Sequence, residues 1–91
     1  MGYSLSEAIT ALVKYSDMEK QGKATLNDLN HIFIQLGKGI DDGLVEGDEF
    51  SLLCKSLSEV AEKQSIGTRI YYWSFLAKIT KDVTYFEKIL E

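Results

Sequence analysis

Apolar residues recur at intervals of three and four along four segments of this chain, and that spacing constrains the fold more than any other feature. Residues three and four apart lie on one face of an α-helix, so each segment is predicted to be an amphipathic helix. The 91 residues include no proline, which would interrupt a helix interior. The sequence therefore predicts an all-α fold, a small bundle or orthogonal array of four to five helices, in a single helical domain over residues 1–91.

The first predicted helix runs from about Ser4 to Ser16. Ser4 is followed three residues later by Glu7, the spacing of a capping box in which each side chain accepts a hydrogen bond from the other residue's backbone N–H. The apolar face of this helix is predicted to contain Leu5, Ala8, Ile9, Leu12 and Val13.

The second predicted helix runs from about Leu26 to Leu36, with Thr25 as its N-cap. Gly37 and Gly39 are expected to end it, because glycine readily adopts the left-handed conformation found at helix C-termini. Its apolar face is predicted to contain Leu26, Leu29, Ile32, Phe33 and Leu36.

The third predicted helix covers about 48–63, and the last segment covers about 69–90. The apolar face of the third contains Phe50, Leu53, Cys54, Leu57, Val60 and Ala61. A break in the last segment near 80–82 would divide it into two helices, because Thr84 and Glu87 again have capping-box spacing. Without that break, one long stripe is predicted, made of Tyr72, Leu76, Ile79, Val83, Phe86 and Leu90.

Nearly all of the net charge of −4 is concentrated in one stretch. Residues 41–49, here called the acidic segment, carry five acidic residues and no basic one, whereas the other positions carry nine acidic and ten basic residues. Such a surface attracts basic protein surfaces and is a poor match for nucleic acid, which is bound through clustered Lys and Arg. The predicted partner-binding residues are Asp41, Asp42, Glu46, Asp48 and Glu49. The simpler alternative is a solvated connection between two helices.

Three aromatic residues follow one another at 71–73. Successive helix residues point about 100° apart, so three adjacent rings cannot all face one core. Tyr72 fits the apolar stripe, and at least one of Tyr71 and Trp73 must lie at its edge or outside it. Tyr71 and Trp73 are therefore candidate anchors for a protein partner, with capping of the domain's own core as the alternative.

Catalysis is not expected. The only histidine, His31, lies within the second predicted helix, and the only cysteine, Cys54, lies on an apolar helix face. A nucleophile needs a base within reach, and neither a phosphate-binding glycine loop nor zinc-ligand spacing is present. We expect no enzyme activity, no cofactor and no metal site. A single cysteine allows no intrachain disulfide and is compatible with the reducing cytoplasm, which is the predicted location.

In one stretch of the chain, oxygen-bearing side chains have the spacing of ligands in a calcium-binding loop. Asp17, Glu19, Gln21, Gly22 and Asp28 occupy offsets 1, 3, 5, 6 and 12 of the stretch 17–28. This spacing resembles that of an EF-hand loop. The loop would be a degenerate one, because offset 5 is a neutral amide and offset 12 is Asp where Glu is preferred. The resemblance implies a lobe, similar to some myosin light chains, that grips a target helix without binding calcium tightly.

The sequence thus favours a non-enzymatic protein-binding domain, either monomer or homodimer. A small acidic inhibitor or immunity-type protein that neutralises a basic partner, such as a nuclease toxin or a nucleic-acid enzyme, fits the size and charge. The EF-hand-like lobe is the alternative. No membrane association is expected, because no apolar run approaches the roughly 20 residues that a spanning helix needs.

Overall fold

The computed structural model describes residues 2–90, so Met1 and Glu91 lie outside it. Within that range the chain forms five α-helices and no β-strand, which confirms the predicted all-α class and helix number. The helices are α1 (Leu5–Lys20), α2 (Leu26–Asp41), α3 (Asp48–Glu62), α4 (Ile66–Thr80) and α5 (Thr84–Leu90). None of these described helices is long and apolar enough to cross a membrane.

Backbone contacts divide the chain into two compact units, the first ending at Glu49 and the second beginning at Phe50. In the first unit α1 packs on α2, and in the second α4 packs on α5. The single helical domain expected from the sequence stays a prediction.

Helix α1 begins as predicted and ends later than predicted. The Ser4 hydroxyl accepts a hydrogen bond from the Glu7 backbone N–H at 3.3 Å, and the Glu7 carboxylate accepts one from the Ser4 backbone N–H at 3.2 Å. This confirms the capping box. The helix continues past Ser16 to Lys20, and Gly22 follows its end with a positive φ of 71°.

The core face of α1 differs from the predicted one. Its buried residues are Ala8 and Tyr15, which are seven positions apart and therefore share a face. Ile9 and Val13 were expected in the core but are 51% and 58% exposed. Apolar spacing alone therefore predicted a face that is too wide, because Ile9 and Val13 lie to one side of the helix face that contains Ala8 and Tyr15.

Helix α2 starts at the predicted N-cap but passes through both glycines. Thr25 and Asp28 form a second capping box, and the helix ends at Asp41, so the predicted end near Leu36 is wrong. Gly39 is buried inside the helix because the backbone of Tyr3 lies against it. Four of the five predicted core positions are buried, namely Leu29, Ile32, Phe33 and Leu36, whereas Leu26 is largely exposed.

The second unit contains the predicted break in the last helical segment. Lys81 adopts a left-handed conformation, with φ of 59°, and separates α4 from α5. The continuous stripe is therefore wrong beyond the break, where Val83 is 70% and Phe86 50% exposed. The side chain of Leu90, the last member of that stripe, lies outside the described residues.

Candidate functional site

The acidic segment begins at the C-terminus of α2, where the backbone forms a Schellman motif. Leu44 N–H donates to the Gly39 carbonyl at 2.8 Å, and Gly43 N–H donates to the Ile40 carbonyl at 3.2 Å. Gly43 has a φ of 79°, the left-handed conformation that this motif requires. The motif ends the helix at Asp41 and directs the chain into the loop that carries the other carboxylates.

The loop of the acidic segment is attached to the protein by one apolar side chain. Val45 is 1% exposed, whereas its neighbours Leu44 and Glu46 are exposed. Gly47 then takes a second positive φ, 61°, just before α3 starts at Asp48. Two glycine turns and a buried valine therefore hold the loop, so the carboxylates project from an ordered backbone.

All five carboxylates of the acidic segment lie on exposed residues. Among the described residues, none of the five has a hydrogen-bonding or ion-pairing partner for its side chain. A carboxylate without an internal partner keeps its full charge available to a ligand. The segment is therefore a surface of five unneutralised negative charges on residues 41–49, namely Asp41, Asp42, Glu46, Asp48 and Glu49.

The two ends of the segment differ in their relation to the helix dipoles. Asp48 and Glu49 lie in the first turn of α3, where negative charge is favourable. Asp41 and Asp42 lie at the C-terminal end of α2, where negative charge is unfavourable. Helix stability thus explains Asp48 and Glu49 but gives no reason for the two aspartates at the end of α2. A residue that works against local stability in this way is expected at functional positions.

The two aromatic candidates lie in the second unit and have different environments. Tyr71 is 36% exposed. Trp73 is 3% exposed, with its ring stacked on Tyr85 at a centroid distance of 5.8 Å and with the Lys88 ammonium 5.0 Å from the ring centroid. The expectation that the adjacent rings cannot all face the core agrees with this arrangement. Of the two, only Tyr71 offers a surface that a partner can contact without rearrangement.

The EF-hand-like window has a geometry unlike a calcium loop. Asp17 and Glu19 lie within the last turn of α1, and only residues 21–25 separate that helix from α2. One oxygen of Asp28 accepts hydrogen bonds from Thr25, at 2.9 Å from the backbone N–H and 3.1 Å from the hydroxyl. No group of three potential metal-ligating His, Cys, Asp or Glu side chains occurs in residues 2–90. The window therefore lacks the twelve-residue loop that arranges calcium ligands.

The two residues with catalytic chemistry lie apart from the acidic segment, His31 on α2 and Cys54 on α3. His31 is exposed on α2, as expected. Cys54 is partly buried on α3, and this burial raises the pKa of its thiol. A raised pKa keeps the thiol protonated and makes it a weaker nucleophile at neutral pH.

Comparisons with known proteins add no relative, because no family model, no curated protein and no solved structure matches the chain. The candidate site therefore rests on its own geometry. Charge in the sequence was enough to find the acidic segment. The supports of its backbone, Gly43 and Val45, were missed, although glycine directly after a helical pattern is a known signal for a helix C-terminus.

Proposed function

We propose that this chain is a non-enzymatic protein-binding protein whose acidic segment docks on a basic surface of another protein. The observation that carries the proposal is the set of five exposed carboxylates on an ordered backbone, unpaired within the described part of the chain. Partner lysines and arginines would neutralise them, which speeds association by electrostatic steering.

The kind of partner follows from the chemistry of the segment. A surface with several negative charges resembles the phosphate backbone in its charge, so the complementary surface is one built to bind phosphates. We propose an inhibitor or immunity-type role, in which the segment covers the basic site of a nuclease toxin or a nucleic-acid enzyme. Tyr71 is a further candidate contact, because tyrosine is common at the energetic centre of interfaces.

The test starts by identifying the partner and then measures its affinity. The tagged protein captures its partner from extract of the source cells at low salt, and the purified pair is studied by calorimetry. Reversing two charges, Asp42→Lys with Glu46→Lys, is expected to weaken binding by at least about tenfold and to reduce its salt dependence. Positive charge at Asp42 suits the C-terminal end of α2, so the helix itself should be retained.

A matched control separates the segment from overall charge. Glu59→Lys with Glu62→Lys makes the same change in net charge at exposed positions of α3 outside the acidic segment. This variant should bind nearly as well as the unaltered protein. Equal weakening by both double variants would show that net charge, and not the acidic segment, governs binding. For a nucleic-acid enzyme partner, short DNA or RNA should compete with the protein.

A further inference from the structure

A pocket between α1 and α2 lies in the first unit, and no step above uses it. Its volume is about 280 Å³, just below the roughly 300–1,000 Å³ typical of small-molecule sites. This size suits a compact molecule. Tyr3 forms part of the wall, and Ala11 contributes only a methyl group, which leaves the space open.

The two helices bring opposite charges to the same pocket. Helix α1 contributes Lys14, whose ammonium has no hydrogen bond or ion pair among residues 2–90. Helix α2 contributes Asp28, whose Oδ2 accepts the two hydrogen bonds from Thr25. Its Oδ1 accepts none within the described part of the chain, so each helix presents one charged group with free hydrogen-bonding capacity.

The rest of the lining is apolar or aromatic apart from His31 of α2, whose imidazole is a further polar group at the pocket. Met18 and Ile32 supply aliphatic surface, and Tyr15 is a buried aromatic residue. Burial and the nearby carboxylates of Glu19 and Asp28 raise the pKa of Tyr15, so its phenol stays protonated. An occupant that suits this lining has an apolar body.

We propose that this pocket binds a small zwitterion, a free α-amino acid with an apolar side chain. Its carboxylate would pair with Lys14, its ammonium group with Oδ1 of Asp28, and its side chain would contact Met18 and Ile32. A simple anion would be repelled by Asp28 and a simple cation by Lys14, whereas a zwitterion satisfies both charges. This inference is independent of the acidic segment and of the partner proposed for it.

The test is a titration of the ¹⁵N-labelled protein with L-phenylalanine, followed by NMR. A ligand of about twelve non-hydrogen atoms should bind with a dissociation constant on the order of 1 mM, given the binding free energy per atom that is typical of small ligands. Saturable shifts are expected at residues that line the pocket. N-acetyl-phenylalanine, which lacks the ammonium charge, and phenylalanine amide, which lacks the carboxylate, should each bind about tenfold more weakly.

Three variants make the test specific. Lys14→Gln should weaken binding about tenfold, because it removes the charge that pairs with the carboxylate. Ala11→Leu should abolish binding by filling the pocket, with the NMR spectrum reporting that the fold is kept. Lys20→Gln is the control, an exposed lysine on the same helix outside the pocket. Absence of binding, equal binding of the three ligands, or equal effects of Lys14→Gln and Lys20→Gln would overturn the proposal.

Discussion

Tyr3 crosses α2 so close to Gly39 that a Cβ atom on Gly39 would lie 2.8 Å from the Tyr3 carbonyl carbon and 3.1 Å from its backbone nitrogen. These are backbone atoms, which cannot rotate away as the end of a flexible side chain can. The approach also lets Tyr3 N–H donate a hydrogen bond to the Gln35 carbonyl at 2.9 Å. Gly39 therefore serves close packing of the N-terminal segment on α2, although glycine lowers helix propensity.

Gly39→Ala should lower the free energy of unfolding by about 1–3 kcal/mol, because the new methyl group must displace the Tyr3 backbone. Urea denaturation followed by circular dichroism measures the change. Gly67→Ala is the matched control, since a Cβ there would have nothing within 4 Å. This control should leave stability unchanged or raise it by up to about 1 kcal/mol. Similar effects of the two substitutions would contradict the role assigned to Gly39.

Gly43→Ala should destabilise the end of α2, because Gly43 has a φ of 79° and a Cβ is disfavoured in the left-handed region. The expected cost is about 1–2 kcal/mol in the same denaturation experiment. Gly43→Asn is the control, and it should cost less because asparagine tolerates this conformation. If alanine and asparagine are equally tolerated, the helix end does not depend on the left-handed residue.

The parts of the fold that could be predicted from the sequence are those determined by residues close to one another along the chain. The pairs Ser4–Glu7 and Thr25–Asp28 are only three positions apart, so the starts of α1 and α2 could be predicted from spacing alone. The core face of α2 was likewise predicted almost completely, because its apolar positions follow one helical stripe.

The parts that could not be predicted depend on contacts between distant residues. Gly39 looked like a helix end, and only the approach of Tyr3, 36 positions away, explains its place inside α2. Val13 was expected in the core, yet the line of α1 that is buried passes through Ala8 and Tyr15. For the candidate site, the charges of the acidic segment could be read from the sequence. The Schellman motif that positions them could be recognised only from the backbone hydrogen bonds of the structure.

The start of α5 should respond to acid through Asp82. Its carboxylate accepts hydrogen bonds from Thr84, at 2.7 Å from the hydroxyl and 3.0 Å from the backbone N–H, and these lower its pKa below the ordinary 3.8. A lowered folded-state pKa means that the stabilisation is present above the unfolded value and is lost as pH falls through the folded value. Backbone amide shifts of α5 followed by NMR between neutral pH and pH 2 measure this loss.

Asp82→Asn is the control for that titration, because asparagine can accept the same hydrogen bonds but carries no titrating group. The shifts of α5 in this variant should not change through the range where Asp82 titrates. A transition of the same size in both proteins would assign the acid response to other carboxylates.

Tyr85 and Lys88 of α5 cover Trp73 of α4, so removing either should expose the indole. Tyr85→Ala removes a stacked ring worth about 0.5–1.5 kcal/mol, and Lys88→Gln removes a cation–π contact worth about 0.5–1 kcal/mol. Trp73 is the only tryptophan of the chain, so fluorescence reports on this site alone. Its emission should shift to longer wavelength and become more accessible to acrylamide, more strongly in Tyr85→Ala than in Lys88→Gln.

Tyr85→Phe is the matched control, since it retains the ring that stacks 5.8 Å from Trp73 and removes only the hydroxyl. Its emission should match that of the unaltered protein. A red shift in Tyr85→Phe as large as in Tyr85→Ala would mean that the hydroxyl, and not ring stacking, holds α5 on α4. Fluorescence also tests Trp73 as a partner anchor when it is recorded with and without the partner. If partner binding uncovers the indole, the emission of Trp73 should change when the complex forms.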